Sequence, residues 1–126
     1  ILIAMYGATA GQIGLLDFKS STNQAICGIL PNNKFHPEFL YQFLLTKTKT
    51  FINQAVGAAQ PNISQSVIRD TFIPIPELEK QTKIAEIISS IDDEISISVN
   101  FKLKLLELKK GLASDLLSGK VKTINN

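Results

Sequence analysis

Two short segments of this 126-residue chain concentrate side chains suited to nucleic-acid edges and phosphates. They are residues 6–12 (Tyr6-Gly7-Ala8-Thr9-Ala10-Gly11-Gln12) and residues 60–65 (Gln60-Pro61-Asn62-Ile63-Ser64-Gln65). Asparagine and glutamine carboxamides can pair with adenine through two hydrogen bonds, while hydroxyls, lysines and loop N–H groups hold phosphates. The candidates are Tyr6, Thr9 and Gln12 in the first segment and Gln60, Asn62, Ser64 and Gln65 in the second. Lys19 and Asn23, from the polar stretch Lys19-Ser20-Ser21-Thr22-Asn23, join them. Taken alone, loops of this composition are usually just turns, and spacing does not decide between the two readings.

Catalytic chemistry finds little material. The chain has one histidine, His36, and one cysteine, Cys27, so no nucleophile–base set or zinc site of paired cysteines or histidines can be assembled. His36 precedes a helix-starting proline, where a lone histidine is ordinarily a surface or capping residue. Cys27 reads as a small buried hydrophobe in a strand. Gly7, Gly11 and Gly14 match neither dinucleotide nor P-loop spacing and read as a structural loop. Asp92-Asp93-Glu94 lies on a helical pattern that spreads adjacent residues around the axis, which makes it a solvated face.

The elements that position the polar segments come next. Residues 1–5, 15–18 and 24–30 read as strands, with the glycines at 7, 11 and 14 permitting tight turns between them. Pro37 begins a helix with Glu38 in its first turn. Apolar residues recur at Leu40, Phe43, Leu44, Phe51, Ile52 and Ala55 until Gly57 stops the run. Ser64 can cap a short helix through Arg69, and Thr71-Phe72-Ile73 suits a last strand ending at Pro74 and Pro76. Residues 1–76 are therefore expected to form a small α+β unit.

From Glu77 the pattern changes to one long helix, ending where Gly119 can adopt a left-handed conformation. Ile84, Ile87, Ile88, Ile91, Ile95, Phe101, Leu105, Leu108, Leu112 and Leu116 form one apolar face at steps of three and four. Opposite them Glu86, Asp93, Asn100, Glu107 and Ser114 recur every seventh residue. This is coiled-coil periodicity. Val99, Leu103, Leu106, Ala113 and Leu117 add a second apolar side, and Ser98 loosens the seam. Gly111 predicts either a break or the close approach of another backbone. At 1.5 Å per residue such a rod is roughly 60 Å long, too long for a head of this size to cover. A partner helix is expected, from a second copy or from elsewhere in the same protein. Residues 120–126 form a tail.

Charge narrows the partners. The net charge is +2, with five basic and three acidic residues in 1–76 and eight of each in 77–126. Nucleic-acid affinity therefore needs placed contacts rather than bulk charge. No apolar run approaches the ~18 residues of a membrane span, no signal-peptide pattern is present, and the single cysteine fits a reducing compartment. A cytoplasmic protein, or a piece of one, is expected. The opening on Ile1-Leu2-Ile3-Ala4-Met5 reads as the inside of a strand.

Several of these stretches occur together in a known order: Tyr6-Gly7-Ala8-Thr9 with Gly11 and Gly14; Asn23-Gln24-Ala25; Phe39-Leu40-Tyr41; Gln60-Pro61-Asn62-Ile63-Ser64; Ile73-Pro74-Ile75-Pro76 with Gln81, Ile84 and Ala85; and Leu108 to Lys120 around Lys109-Lys110-Gly111 and Ser118-Gly119. In this succession the chain resembles the DNA-specificity subunit of type I restriction-modification enzymes, over nearly its whole length. The resemblance implies the later part of a target recognition domain followed by the distal conserved helix of such a subunit, with the family's domain beginning upstream of Ile1. It implies a non-catalytic reader of double-stranded DNA that docks adenine-methylating modification subunits and, through them, restriction subunits. S-adenosylmethionine, ATP and Mg would belong to those partners, and this chain would hold no cofactor. The helix would pair with a sister helix of the same subunit or of a second copy, acting as a ruler between two readers.

Overall fold

A computed structural model of the chain describes residues 1–55 and 62–122. Three short strands, β1 (Leu2–Ala4), β2 (Ile13–Gly14) and β3 (Ile26–Gly28), form an antiparallel sheet in the order β2-β1-β3. Ile3 of the central strand faces Ile13 on one side and Cys27 on the other. Helices α1 (Pro37–Leu45), α2 (Thr48–Asn53) and α3 (Gln65–Arg69) follow, and then the 40-residue α4 (Leu78–Leu117). The fold is α+β, as the patterning predicts.

The core is small and apolar. Ile3 of β1, Met5 just beyond its end, Ala10, Leu40 and Leu44 from α1, Phe51 from α2, Ile63, and Ile68 from α3 pack into one cluster. Ile3 and Met5, two residues apart, are both buried, while Ala4 between them is half-buried. Pro37 occupies the first turn of α1 with Glu38 beside it. Ser64 caps α3, its Oγ accepting from the Val67 N–H at 3.4 Å.

Three expectations need correction. Residues 15–18 lie outside the sheet; the second strand is Ile13–Gly14, fixed by the pairing of Ile13 with Ile3. The expected single helix to Gly57 is two helices over the described residues, and Gly57 itself lies outside them. The Thr46 hydroxyl donates to the Phe43 carbonyl at 2.6 Å while its N–H donates to the same oxygen, closing α1. Residues 71–73 form no strand. Thr71 turns both its donors back onto α3, its Oγ1 to the Val67 carbonyl at 2.8 Å and its N–H to that of Ile68, which withdraws them from any ladder.

The chain divides into two compact units, Ile1–Ile88 and Ser89–Asn126. In the first, the opening turns of α4 lie against the rest of the head through Gln81 and Ala85, both buried, with Ile88 half-buried. The second unit is the remainder of α4 and its end, where Gly119 takes a φ of +72°. Its apolar residues are uncovered; Ile91 is 52% and Phe101 62% exposed. α4 does not break at Gly111, and a methyl group built there meets nothing within 4 Å. Gly111→Ala is therefore expected to stabilise the isolated chain by about 1 kcal/mol, seen as a higher melting temperature at 222 nm.

Gly11 is different. Its φ is +83°, and a Cβ there would stand 2.9 Å from Ile52 Cγ1. Gly7 shares the positive φ but faces open space. Gly11→Ala should destabilise the head by about 1–2 kcal/mol from backbone strain, plus the displacement of Ile52. Gly7→Ala should cost less, and paired denaturant melts would show an equal loss if the Ile52 contact were immaterial.

Candidate nucleic-acid interface

The C-terminal end of β1 gathers three loop segments. Ala4 donates its N–H to the Gln12 carbonyl and accepts from the Gly11 N–H, at 2.9 and 2.8 Å. Met5 donates to the Ala25 carbonyl at 2.8 Å and accepts from the Ile63 N–H at 2.9 Å. Tyr6 then pairs with Asn62 in an antiparallel bridge. Residues 6–12, 23–25 and 62–65 thus meet along one rim, tied by backbone bonds to the buried residues Met5 and Ile63. A single 3-10 turn, Gly7–Thr9, lifts the first segment off the strand, with the left-handed Gly7 and Gly11 at its two sides.

Most of the residues nominated from sequence lie on this rim. Tyr6, Thr9, Gln12, Asn23, Asn62, Ser64 and Gln65 are all exposed, although Ile63 between two of them is fully buried. Two have structural duties that compete with ligand contact. Asn23 Oδ1 accepts from the Ala25 N–H at 3.0 Å, and Ser64 Oγ caps α3 while lying 2.7 Å from Ser66 Oγ. A two-bond pairing of Asn23 with a base would cost that turn contact. Among the described residues, Tyr6, Thr9, Gln12, Asn62 and Gln65 make no such side-chain bond. Lys19 stands apart, beside Leu2, Phe18 and Gly28 at the opposite end of β1, around a concavity of about 710 Å³. Gln60, with Pro61, lies outside the described residues.

Arg69, the chain's one arginine, was not among the sequence candidates. It ends α3 and, with Gln65, lines a hollow of about 470 Å³ along β3 that includes Cys27 and Ile68. Its guanidinium can bind phosphate or guanine in a two-pronged geometry that lysine cannot match. Being the sole arginine was the signal available in the sequence. The hollow between α2 and α3 is less suited to an anion, because Asp70 lines it together with Lys47.

Burial pushes the Cys27 thiol above its ordinary value of 9.0, and the nearby Arg69 charge pulls it only partly back. The folded state therefore favours the protonated thiol. Its contribution to stability is complete below pH 9 and is lost as pH rises through the folded-state value. Cys27 should accordingly react with iodoacetamide at neutral pH more slowly than in the unfolded chain. Alkylation at the unfolded rate would contradict that reading. His36 takes the cap position of α1 by its backbone alone. Its side chain does not cap; Nδ1 faces Glu38 Oε2 at 3.4 Å. Among the described residues, no group of three or more His, Cys, Asp or Glu side chains is placed to hold a metal ion. Among those residues no helix is long and apolar enough to cross a membrane.

Comparison with known proteins identifies the family. The family model described as the type I restriction modification DNA specificity domain matches residues 1–107. The type I restriction enzyme MjaVIII specificity subunit of Methanocaldococcus jannaschii is 32% identical over 99 residues, covering 77% of this chain and 23% of the relative. The MjaIX specificity subunit of the same organism is 31% identical over 90 residues, covering 70% of this chain and 21% of the relative. The chain thus spans roughly a quarter of the length of these curated relatives.

Proposed function

Because this chain belongs to the type I restriction modification DNA specificity family, we propose that it reads one part of a double-stranded DNA site without performing chemistry itself. The observation that carries this reading is the junction at Met5 and Tyr6. It holds residues 6–12 and 62–65 side by side as one exposed rim rich in hydroxyls and carboxamides. In this reading Gln12, Asn62 and Gln65 contact base edges, Tyr6 and Thr9 contribute shape and hydroxyl contacts, and Arg69 and Lys19 contact phosphates. The apolar face from Ile84 to Leu116 pairs with a second helix, and the second apolar side of α4 is offered to a modification subunit. Restriction subunits would join through that partner, and methyl transfer and ATP-driven steps would belong to the partners. A cytoplasmic setting follows from a DNA substrate.

The small net charge of the head bears on affinity. The two basic residues Arg69 and Lys19 meeting phosphates would give a log–log salt slope of about −2, far shallower than for a strongly basic binder. Most discrimination must then come from base contacts. The test is binding of the complete subunit, with its modification partners, to duplexes of different sequence at one fixed salt concentration. Preference for one sequence by a factor of about a thousand or more supports the reading. Equal affinity for all of them would leave α4 as an assembly element and the head as a protein-contacting module.

A further inference from the structure

We propose that Gln81 is a positioning residue for DNA reading, because its carboxamide locks the start of the spacer helix to the recognition head. The proposal rests on the functional reading above. Gln81 is the one buried polar side chain among the described residues, at 1% exposure. Its Oε1 accepts from the His36 N–H at 2.7 Å, and its Nε2 donates to the Pro76 carbonyl at 2.8 Å and the Lys34 carbonyl at 3.3 Å. Both amide hydrogens are used, and each partner is a backbone group, so the lock depends on the path of the chain rather than on neighbouring side chains. One side chain therefore ties three pieces together: the loop leading into α1, the proline that precedes α4, and the first turn of α4 itself. Ala85, one turn on, is buried as well.

The lock lies within one compact unit, Ile1–Ile88, where it fixes the direction in which the first turns of α4 leave the rest of the head. Apolar contact alone is non-directional and does not fix an angle so closely. Three directed hydrogen bonds can do so. Gln81 thus determines which separation of half-sites is accepted, while the rim determines which bases are read.

The experiment uses the full-length subunit with Cys27→Ser, carrying spin labels at Lys49→Cys and Lys102→Cys. Pulsed electron spin resonance then compares Gln81 with Gln81→Met, which keeps size but makes no such bonds, and with Gln81→Glu, which keeps only the acceptor for His36. The expected result is a broader inter-label distance distribution in both variants at unchanged helix content. Exchange of the His36 amide should be faster by about tenfold or more in Gln81→Met. With modification partners and randomised duplexes, both variants should keep the half-site bases but tolerate altered spacing. Should Gln81→Met unfold the head, Gln81→Glu carries the comparison alone. Unchanged distance distributions, or unchanged spacing selectivity, would overturn the proposal and leave Gln81 a packing residue. If the unmodified subunit reads no sequence, the functional reading fails, and the distance distributions still decide whether the lock exists.

Discussion

The isolated chain is expected to self-associate through α4 at micromolar concentration, and replacing Ile91 with glutamate to weaken that association by at least a hundredfold. Ile91 stands in the apolar run and is half exposed in the single chain. Covering a large aliphatic side chain contributes about 1.5–3 kcal/mol, and a glutamate in the same place would add the cost of an unpaired charge in a dry seam. The sum exceeds the 2.8 kcal/mol that corresponds to about a hundredfold. Glu86→Lys, on the polar side, should change association only a few-fold. Light scattering after gel filtration separates these outcomes. A clean monomer before any substitution would count strongly against self-association, and similar losses at both positions would mean that the face is misassigned. Because neither residue is buried, helix content by circular dichroism should stay constant, so a loss of association cannot be put down to unfolding.

Removing the carboxamides of the rim should have the second largest effect, on discrimination rather than on affinity. Asn62→Ala is expected to lower the preference for the correct base at one position by about 1–3 kcal/mol, or roughly five- to 150-fold, and Gln12→Ala to do the same at another. Binding to unrelated duplexes should hardly move. Arg69→Ala should act in the opposite way, weakening binding to all sequences and reducing the salt slope by about one. Uniform weakening by Asn62→Ala would place it among phosphate contacts. Asn62 is the better test than Ser64, since loss of the Ser64 hydroxyl also removes the cap on α3.

Local chemistry made much of this fold legible. Pro37 and Glu38 mark the start of α1, Ser64 marks α3, and Glu77 to Gly119 brackets α4 to within a residue or two at each end. In each case the signal is a residue whose own backbone preference or side-chain bond decides the matter. The failures have the opposite origin. Leu15, Leu16 and Phe18 look like a strand, but short strands are set by their partners, and the pairing of Ile3 with Ile13 claims the residues before them. Thr46 and Thr71 carry hydroxyls that take carbonyls three and four residues back, ending one helix and preventing one strand.

The candidate site divides along the same line. Composition pointed to the polar segments, yet nothing local says that Tyr6 and Asn62, far apart in sequence, sit opposite one another, or that Lys19 falls at the other end of β1. Gln81 was legible as one of the residues carrying the family resemblance, in the first turns of a helix, but with no role attached. Its three partners at Lys34, His36 and Pro76 appear only once the chain is folded. Arg69 was visible as a helix end and unrecognised as a charge beside the rim.

The central claim is that the rim at the end of β1 reads sequence and α4 spaces the reader. Its most direct test is selection from randomised duplexes by the full-length subunit with its modification partners, repeated with Asn62→Ala and Gln12→Ala together. The expected outcome is a split motif in which the double substitution degrades one half and leaves the other half and the spacing intact. Enrichment of no motif, or a motif unchanged by the double substitution, would contradict it.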